Sequence, residues 1–109
     1  MSKRHTGLLI EDILDSADKI LSYTSNLNFE EFTNNSMVVD AVIRNFEIIG
    51  EAANRLPEDF KENYSDIDLH RIRGFRNRIV HNYFGIDYSI VWLIKEEFLP
   101  DMIFELKKI

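Results

Sequence analysis

Apolar residues in this chain recur every three or four positions, and that period is the strongest constraint on what it can fold into. Leu9, Ile10, Ile13, Leu14, Ala17, Ile20 and Leu21 form one such stripe, and Val39, Val42, Phe46, Ile49, Ala53 and Leu56 form another. A helix turns about 100° per residue, so positions three and four apart share a face that can be buried. A half-buried strand would need alternation at period two, and no stretch sustains it. The spacing predicts a first helix over about Thr6–Tyr23 and a second over about Met37–Leu56, whose other side carries Asp40, Arg44, Glu47, Glu51 and Asn54. Phe29–Phe32 reads as a single turn, and Asn34-Asn35-Ser36 as the cap of the second helix. Pro57 ends that helix and can open a short one reaching Asn63. Asp66 and Asp68 are candidate caps for a third helix over about Leu69–Tyr83, stopped by Gly85. Asp87 then caps a fourth, Tyr88–Lys107, which Pro100 kinks or divides. The expectation is an all-α protein without strands, an antiparallel bundle of four to five helices occupying residues 1–109 as one domain.

Composition narrows the class of activity. There is no cysteine, which removes disulfides and thiolate chemistry and suits a reducing compartment. Acidic residues break the segment after the basic N-terminus, so a secretory signal is not expected. No run of about 18 apolar residues predicts a membrane span, and the cytoplasm is the expected location. The formal net charge is −6, which opposes non-specific coating of nucleic acid.

Against that acidic background, four of the seven arginines fall within eight residues: Arg71, Arg73, Arg76 and Arg78. From Asp68 to Tyr83 the charge is three positive, four arginines against one aspartate, and the rest of the chain carries nine negative. His81 and Tyr83 follow directly. Arginine is always charged, and its planar fork matches phosphate oxygens. Histidine has the pKa for proton transfer near neutrality. Arg73, Arg76 and Arg78 are therefore candidate phosphate contacts and His81 a candidate proton-transfer group for phosphodiester cleavage, with Asn77 able to hold the imidazole or contact substrate. Nothing resembles a metal cluster or a glycine-rich phosphate loop, and no cofactor is expected.

On a single straight helix Arg76 and Tyr83 would lie about 20° apart, Asn77 and His81 about 40°, and Arg76 and His81 about 140°. Arginine reach, a distortion near Gly85, or a second copy of the helix in a two-fold dimer would bring Arg76 and His81 together. By spacing alone the segment reads equally well as a solvated arginine-rich face with one histidine near a helix end.

Arg76, four residues, His81, one residue, then Tyr83 resembles the R-x4-H-x-Y motif of HepT-like toxins of the HEPN superfamily. The stretches IEDILDSADKI, DAVIRNFEIIGEAANRLPEDF, IRGFRNRIVHNYFGID and IVWLIKEEFLP resemble that family in its order, over nearly the whole chain. One departure is that Asp66-Ile67-Asp68-Leu69 stands where many relatives carry a proline and a tryptophan. The resemblance implies a homodimeric helical bundle and a metal-independent endoribonuclease toxin with Arg76 and His81 as catalytic residues. It implies as partner a minimal nucleotidyltransferase antitoxin, which would attach AMP to Tyr83. It also gives Gly50 a purpose, since a mid-helix position without a side chain permits close helix approach. The competing class is a non-catalytic nucleotide- or partner-binding helical module.

Overall fold

The computed structural model describes residues 5–64, 66–81 and 85–109; at Lys61, Arg76, Val80 and His81 the description is of the backbone alone. The first stripe folds as α1, Thr6–Thr24, and buries Leu9, Ile10, Ile13, Ala17 and Ile20. A one-turn helix α2, Phe29–Thr33, is set by a capping box: Asn28 Oδ1 accepts from the Glu31 N–H at 2.8 Å, and the Asn28 N–H donates to Glu31 Oε1 at 3.0 Å. These two bonds occupy end groups that a helix leaves open. The second stripe folds as α3, Ser36–Arg55, capped by Asn35, whose Oδ1 accepts from the Val38 N–H. Val39, Val42, Phe46, Ile49, Ala53 and Leu56 are all buried.

α3 is the hub of the fold and packs along α1. After Pro57 comes α4, Glu58–Asn63, then α5, Leu69–Arg73, and α6, Phe75–Ile79. Both α5 and α6 lie on α3. Leu69, Ile72, Phe75 and Ile79 point inward, a stripe that continues across Gly74. Phe75 joins two sides of the core: its ring stands edge-on to Phe46 at 5.4 Å and to Phe98 at 5.2 Å, the separation aromatic pairs favour. Asp68 accepts the Arg71 N–H and caps α5, while Ile67 and Leu69 on either side are buried.

The third helix differs from expectation. Leu69–Tyr83 is not one helix: the helical ladder is interrupted at Gly74 and ends at Ile79. Val80 and His81 form a short strand, β1, antiparallel to β2, Gly85–Ile86, with Val80 opposite Ile86 and His81 opposite Gly85. The physical reason is readable afterwards. The run from Ile79 to Phe84 contains β-branched and aromatic residues, which fit a pleated surface better than a helix. Gly85 supplies φ +79°, a left-handed conformation that glycine adopts without steric cost. A 2.7 Å bond from the Asp87 N–H to the Ile79 carbonyl closes the junction.

The fourth helical run starts where expected, with Asp87 Oδ1 accepting the Ile90 N–H. It comprises α7, Tyr88–Leu93, a π-helical turn over Ile94–Phe98, and α8, Leu99–Leu106. In an α-ladder, Pro100 would leave the Glu96 carbonyl without its N–H donor. The wider turn moves the register by one residue just before it, with the Leu99 N–H reaching the Ile94 carbonyl. α8 returns against α1. The protein is thus mainly helical with a two-residue ladder. Among its described helices only α1 and α3 are long, at 19 and 20 residues. None of the described helices is long and apolar enough to cross a membrane.

Candidate functional site

Of the four arginines of the basic segment, the three whose side chains are described, Arg71, Arg73 and Arg78, do not form one patch. Arg71 turns toward the fourth helical run, its guanidinium 4.4 Å from the centre of the Phe98 ring. Arg73 turns the other way, onto α3, where its Nε donates to the Ala53 carbonyl at 3.1 Å. The sequence explains why that carbonyl is open. Four residues on stands Pro57, which has no N–H to continue the ladder. The Leu56 N–H also reaches the Ala53 carbonyl, at 3.3 Å, and the half-buried guanidinium takes the remaining position. Arg78 is exposed on α6. Arg76 lies in α6 by its backbone, and its side chain is outside the description.

The helical wheel therefore fails beyond Ile79. His81 belongs to β1, so Asn77 and His81 are not one helical turn apart, and the 140° separation of Arg76 and His81 does not apply. Tyr83, and with it the helix face expected to be shared by Tyr83 and Arg76, lies outside the described residues. The junction instead sets Arg76 on a helical turn and His81 on an extended segment, five residues apart across the point where helix becomes strand.

Two of the expected contact residues do come together. Arg73 and Asn77 line a groove of about 290 Å³ with Glu47, Gly50, Glu51 and Asn54 of α3. Arg78 is not among its lining residues. The α3 residues follow at steps of three, one and three, so they share one helix face. That spacing is visible in the sequence, but without knowing that α5 and α6 lie over this face it reads as an ordinary solvated side. Gly50 forms the closest approach. A Cβ built there would stand 3.7 Å from the Arg73 carbonyl oxygen and 3.9 Å from that of Ile72. Such distances are ordinary van der Waals contact, so alanine would fit and a branched side chain would not. Glu47 is partly engaged, with Arg44 Nη1 3.7 Å from its carboxylate. The side chains of Glu51 and Asn54 are exposed, as is that of Asn77.

A second feature escaped the sequence reading. Lys95, in the π-helical turn, is buried. Its Nζ sits 3.5 Å from the centre of the Trp92 ring and 2.8 Å from Glu96 Oε1. The ring face and the carboxylate offset part of the cost of removing an ammonium from water. Trp92 in turn packs on Phe29 and Phe32.

Comparison with known proteins addresses the family directly. The family model "Ribonuclease HepT-like" matches residues 13–109. The chain belongs to the HepT-like ribonuclease family. Among its relatives, "Putative RNase MJ1216" of Methanocaldococcus jannaschii is 38% identical over 109 residues, all of this chain and 90% of the relative. From the same organism, "Putative RNase MJ1380" is 42% identical over 100 residues, 92% of each chain. "Probable ribonuclease HepT" of Thermococcus cleftensis is 34% identical over 102 residues, 94% of this chain and 92% of the relative. No solved structure matches the chain. This HepT-like chain thus aligns with these three relatives over nearly their whole length, and the helix–strand junction carrying Arg76 and His81 falls inside the region that the family model matches.

Proposed function

We propose that this HepT-like protein is a metal-independent endoribonuclease toxin of a type VII toxin–antitoxin pair, with Arg76 and His81 as its catalytic residues. The observation that carries this reading is family membership over residues 13–109, a span in which Arg76, His81 and Tyr83 fall at R-x4-H-x-Y spacing. The chemistry follows from those residue types. His81 takes the proton of a ribose 2′-hydroxyl as the 2′-oxygen attacks the adjacent phosphorus. The bond from phosphorus to the 5′-oxygen breaks, and that oxygen takes up the proton carried by the His81 imidazolium, which returns to its neutral form. The products are a 2′,3′-cyclic phosphate and a free 5′-hydroxyl, so no water or metal enters this step. Arg76 stabilises the charge on the five-coordinate phosphate, where a two-pronged donor is better suited than a point charge. Arg78, exposed on the same short helix, serves the neighbouring backbone phosphates.

A homodimer suits a small site of this kind, because two copies present two sets of basic side chains. Phe46 is buried in the core and cannot supply the contact. Phe29 and Leu93 are exposed beside Trp92, with Tyr88 exposed on the same run, and they are the better candidates. A small nucleotidyltransferase antitoxin is the partner, and AMP attached to the Tyr83 hydroxyl is the means of silencing. A phosphodiester there adds negative charge and bulk close in sequence to the catalytic histidine.

The test is cleavage of RNA by the purified protein in excess chelator. His81→Ala should lower the rate by roughly 10²–10⁴-fold, the usual worth of a positioned proton-transfer group. Arg76→Ala should cost about 10²–10³-fold, as when one transition-state donor is removed, and Arg76→Lys should recover only part. Undiminished cleavage by His81→Ala would reject the assignment; a wild-type protein that leaves RNA intact would favour the binding-module class.

A further inference from the structure

The groove between α3 and α5–α6 has walls of opposite charge, which is not the composition of a phosphate cradle. Glu47, Glu51 and Asn54 stand on one side, Arg73 and Asn77 on the other, with Gly50 between. Among the described lining residues of this groove of about 290 Å³ there are two carboxylates, of which Glu47 has Arg44 beside it, and one guanidinium, a balance that does not favour a bound anion. A neutral planar group, with donors on one edge and acceptors on the next, suits such walls better. Arg73 is also held in place. Its Nε is spent on the Ala53 carbonyl at 3.1 Å. Of its five N–H donors, the four on the terminal nitrogens remain for a ligand, and Arg73 lines the groove. Across from it, the Glu51 carboxylate has no hydrogen-bond partner among the described residues and remains exposed.

We propose that this groove is a base-reading subsite for guanine in single-stranded RNA. Guanine fills both forks at once. Its O6 and N7 accept two bonds from an arginine fork, and its N1–H and N2–H donate two bonds to a carboxylate. Adenine and cytosine each offer a carboxylate only their amino group on the corresponding edge, and uracil offers a single imide N–H. Sequence-specific RNA recognition works on unstacked bases presented in this way. The amides of Asn54 and Asn77, which line the same groove, supply further donors and acceptors. Asn77 stands next to Arg76 in sequence, so a base held here belongs to a nucleotide near the scissile phosphate. The proposal rests on the ribonuclease reading for its place in catalysis, but not for the binding it asserts.

The experiment uses the full chain, labelled with nitrogen-15 and titrated with GMP, AMP, CMP and UMP. GMP should bind at least about tenfold more tightly than the other three, the usual discrimination of a bidentate base contact. The amide signals of Gly50, Glu51, Asn54 and Asn77 should move. Glu51→Gln, which exchanges one acceptor oxygen for a donor on an exposed side chain, should erase the preference while leaving the rest of the spectrum in place. Arg73→Lys, which keeps the charge but loses the fork, should erase it as well. Equal affinity for all four nucleotides, no binding of any, or shifts confined to other residues would overturn the proposal. A pool of randomised RNA supplies the second arm, with guanine expected at one fixed position beside the cut. Cleavage without guanine bias overturns the subsite and leaves the ribonuclease reading standing. A GMP preference without cleavage supports the subsite and removes the ribonuclease reading.

Discussion

Replacing Gly50 measures how closely α3 and α5 pack and what the groove between them requires. Glycine inside a helix costs about 0.8–1.0 kcal/mol relative to alanine, through backbone entropy. The Cβ of alanine would meet the Arg73 carbonyl oxygen at 3.7 Å and the Ile72 carbonyl oxygen at 3.9 Å, so no repulsion opposes that gain. Gly50→Ala should therefore stabilise the protein by about 0.5–1 kcal/mol, a rise in Tm of roughly 2–4 °C for a chain of this size. Valine is different. Its two γ carbons lie about 1.5 Å beyond Cβ, and in a helix one rotamer holds about nine-tenths of the population, so it cannot swing aside. Gly50→Val should push on the α5 carbonyls and cost about 1–3 kcal/mol, the range for overpacking a filled space. Thermal and urea unfolding of the three proteins would give the order alanine, glycine, valine. A valine variant as stable as the alanine one would refute the packing argument, because α5 would then not lie where the backbone distances put it. Alanine also raises the floor of the groove beside Arg73, so the same substitution should weaken GMP binding while it raises Tm. Stability and binding should move in opposite directions at this one position.

Other expectations follow from single contacts. Asp68→Ala and Asp87→Ala each remove a side-chain cap, to the Arg71 and Ile90 N–H groups respectively, and each should cost about 1 kcal/mol in urea unfolding. Gly85→Ala forces a Cβ into φ +79°, a strain of roughly 1–2 kcal/mol; it should reduce RNA cleavage by more than its stability loss accounts for, because β2 pairs with His81. Tyr83→Phe should still cleave RNA but gain no AMP when incubated with ATP and its nucleotidyltransferase partner, a difference that intact-protein mass spectrometry reads directly.

The elements fixed by local chemistry were legible in the sequence. The stripe on α3 and the caps at Asn35, Asp68 and Asp87 fall where periodicity and hydrogen-bonding side chains place them. The failures have a common physical origin. The segment from Leu69 onward carries a good apolar period as far as Ile79, and then the period continues by coincidence into residues whose intrinsic preference is extended. Wheel geometry cannot detect that change, because Val80 satisfies a helical stripe and a strand equally. The burial of Lys95 was equally invisible, since it depends on Trp92 meeting it from the preceding turn and on a π-helical turn next to Pro100. The groove was half legible. Arg73 and Asn77 could be singled out by charge and position, but Glu51 and Asn54 became partners only once α5 and α6 were seen to lie across α3.

The dispersal of the arginines gives the site its logic. An inward stripe of Leu69, Ile72, Phe75 and Ile79 fixes how α5 and α6 lie on α3, and the intervening arginines are then forced to different sides. Arg71 is committed to Phe98 and Arg73 to Ala53, so neither is available as a mobile counter-charge for a whole RNA backbone. That is consistent with a net charge of −6, which would repel long stretches of nucleic acid and favour engagement at one point. The residues left for a reacting phosphate are those at the helix–strand junction, where the backbone is held by the bond from the Asp87 N–H to the Ile79 carbonyl and by the pairing of His81 with Gly85. A short helix bearing Arg76 and a short strand bearing His81 meet at a backbone junction held by these bonds, which would hold the backbone of the two residues proposed as catalytic more firmly than the end of a fraying helix would. The departure from the sequence expectation is thus where the proposed chemistry gains its preorganisation.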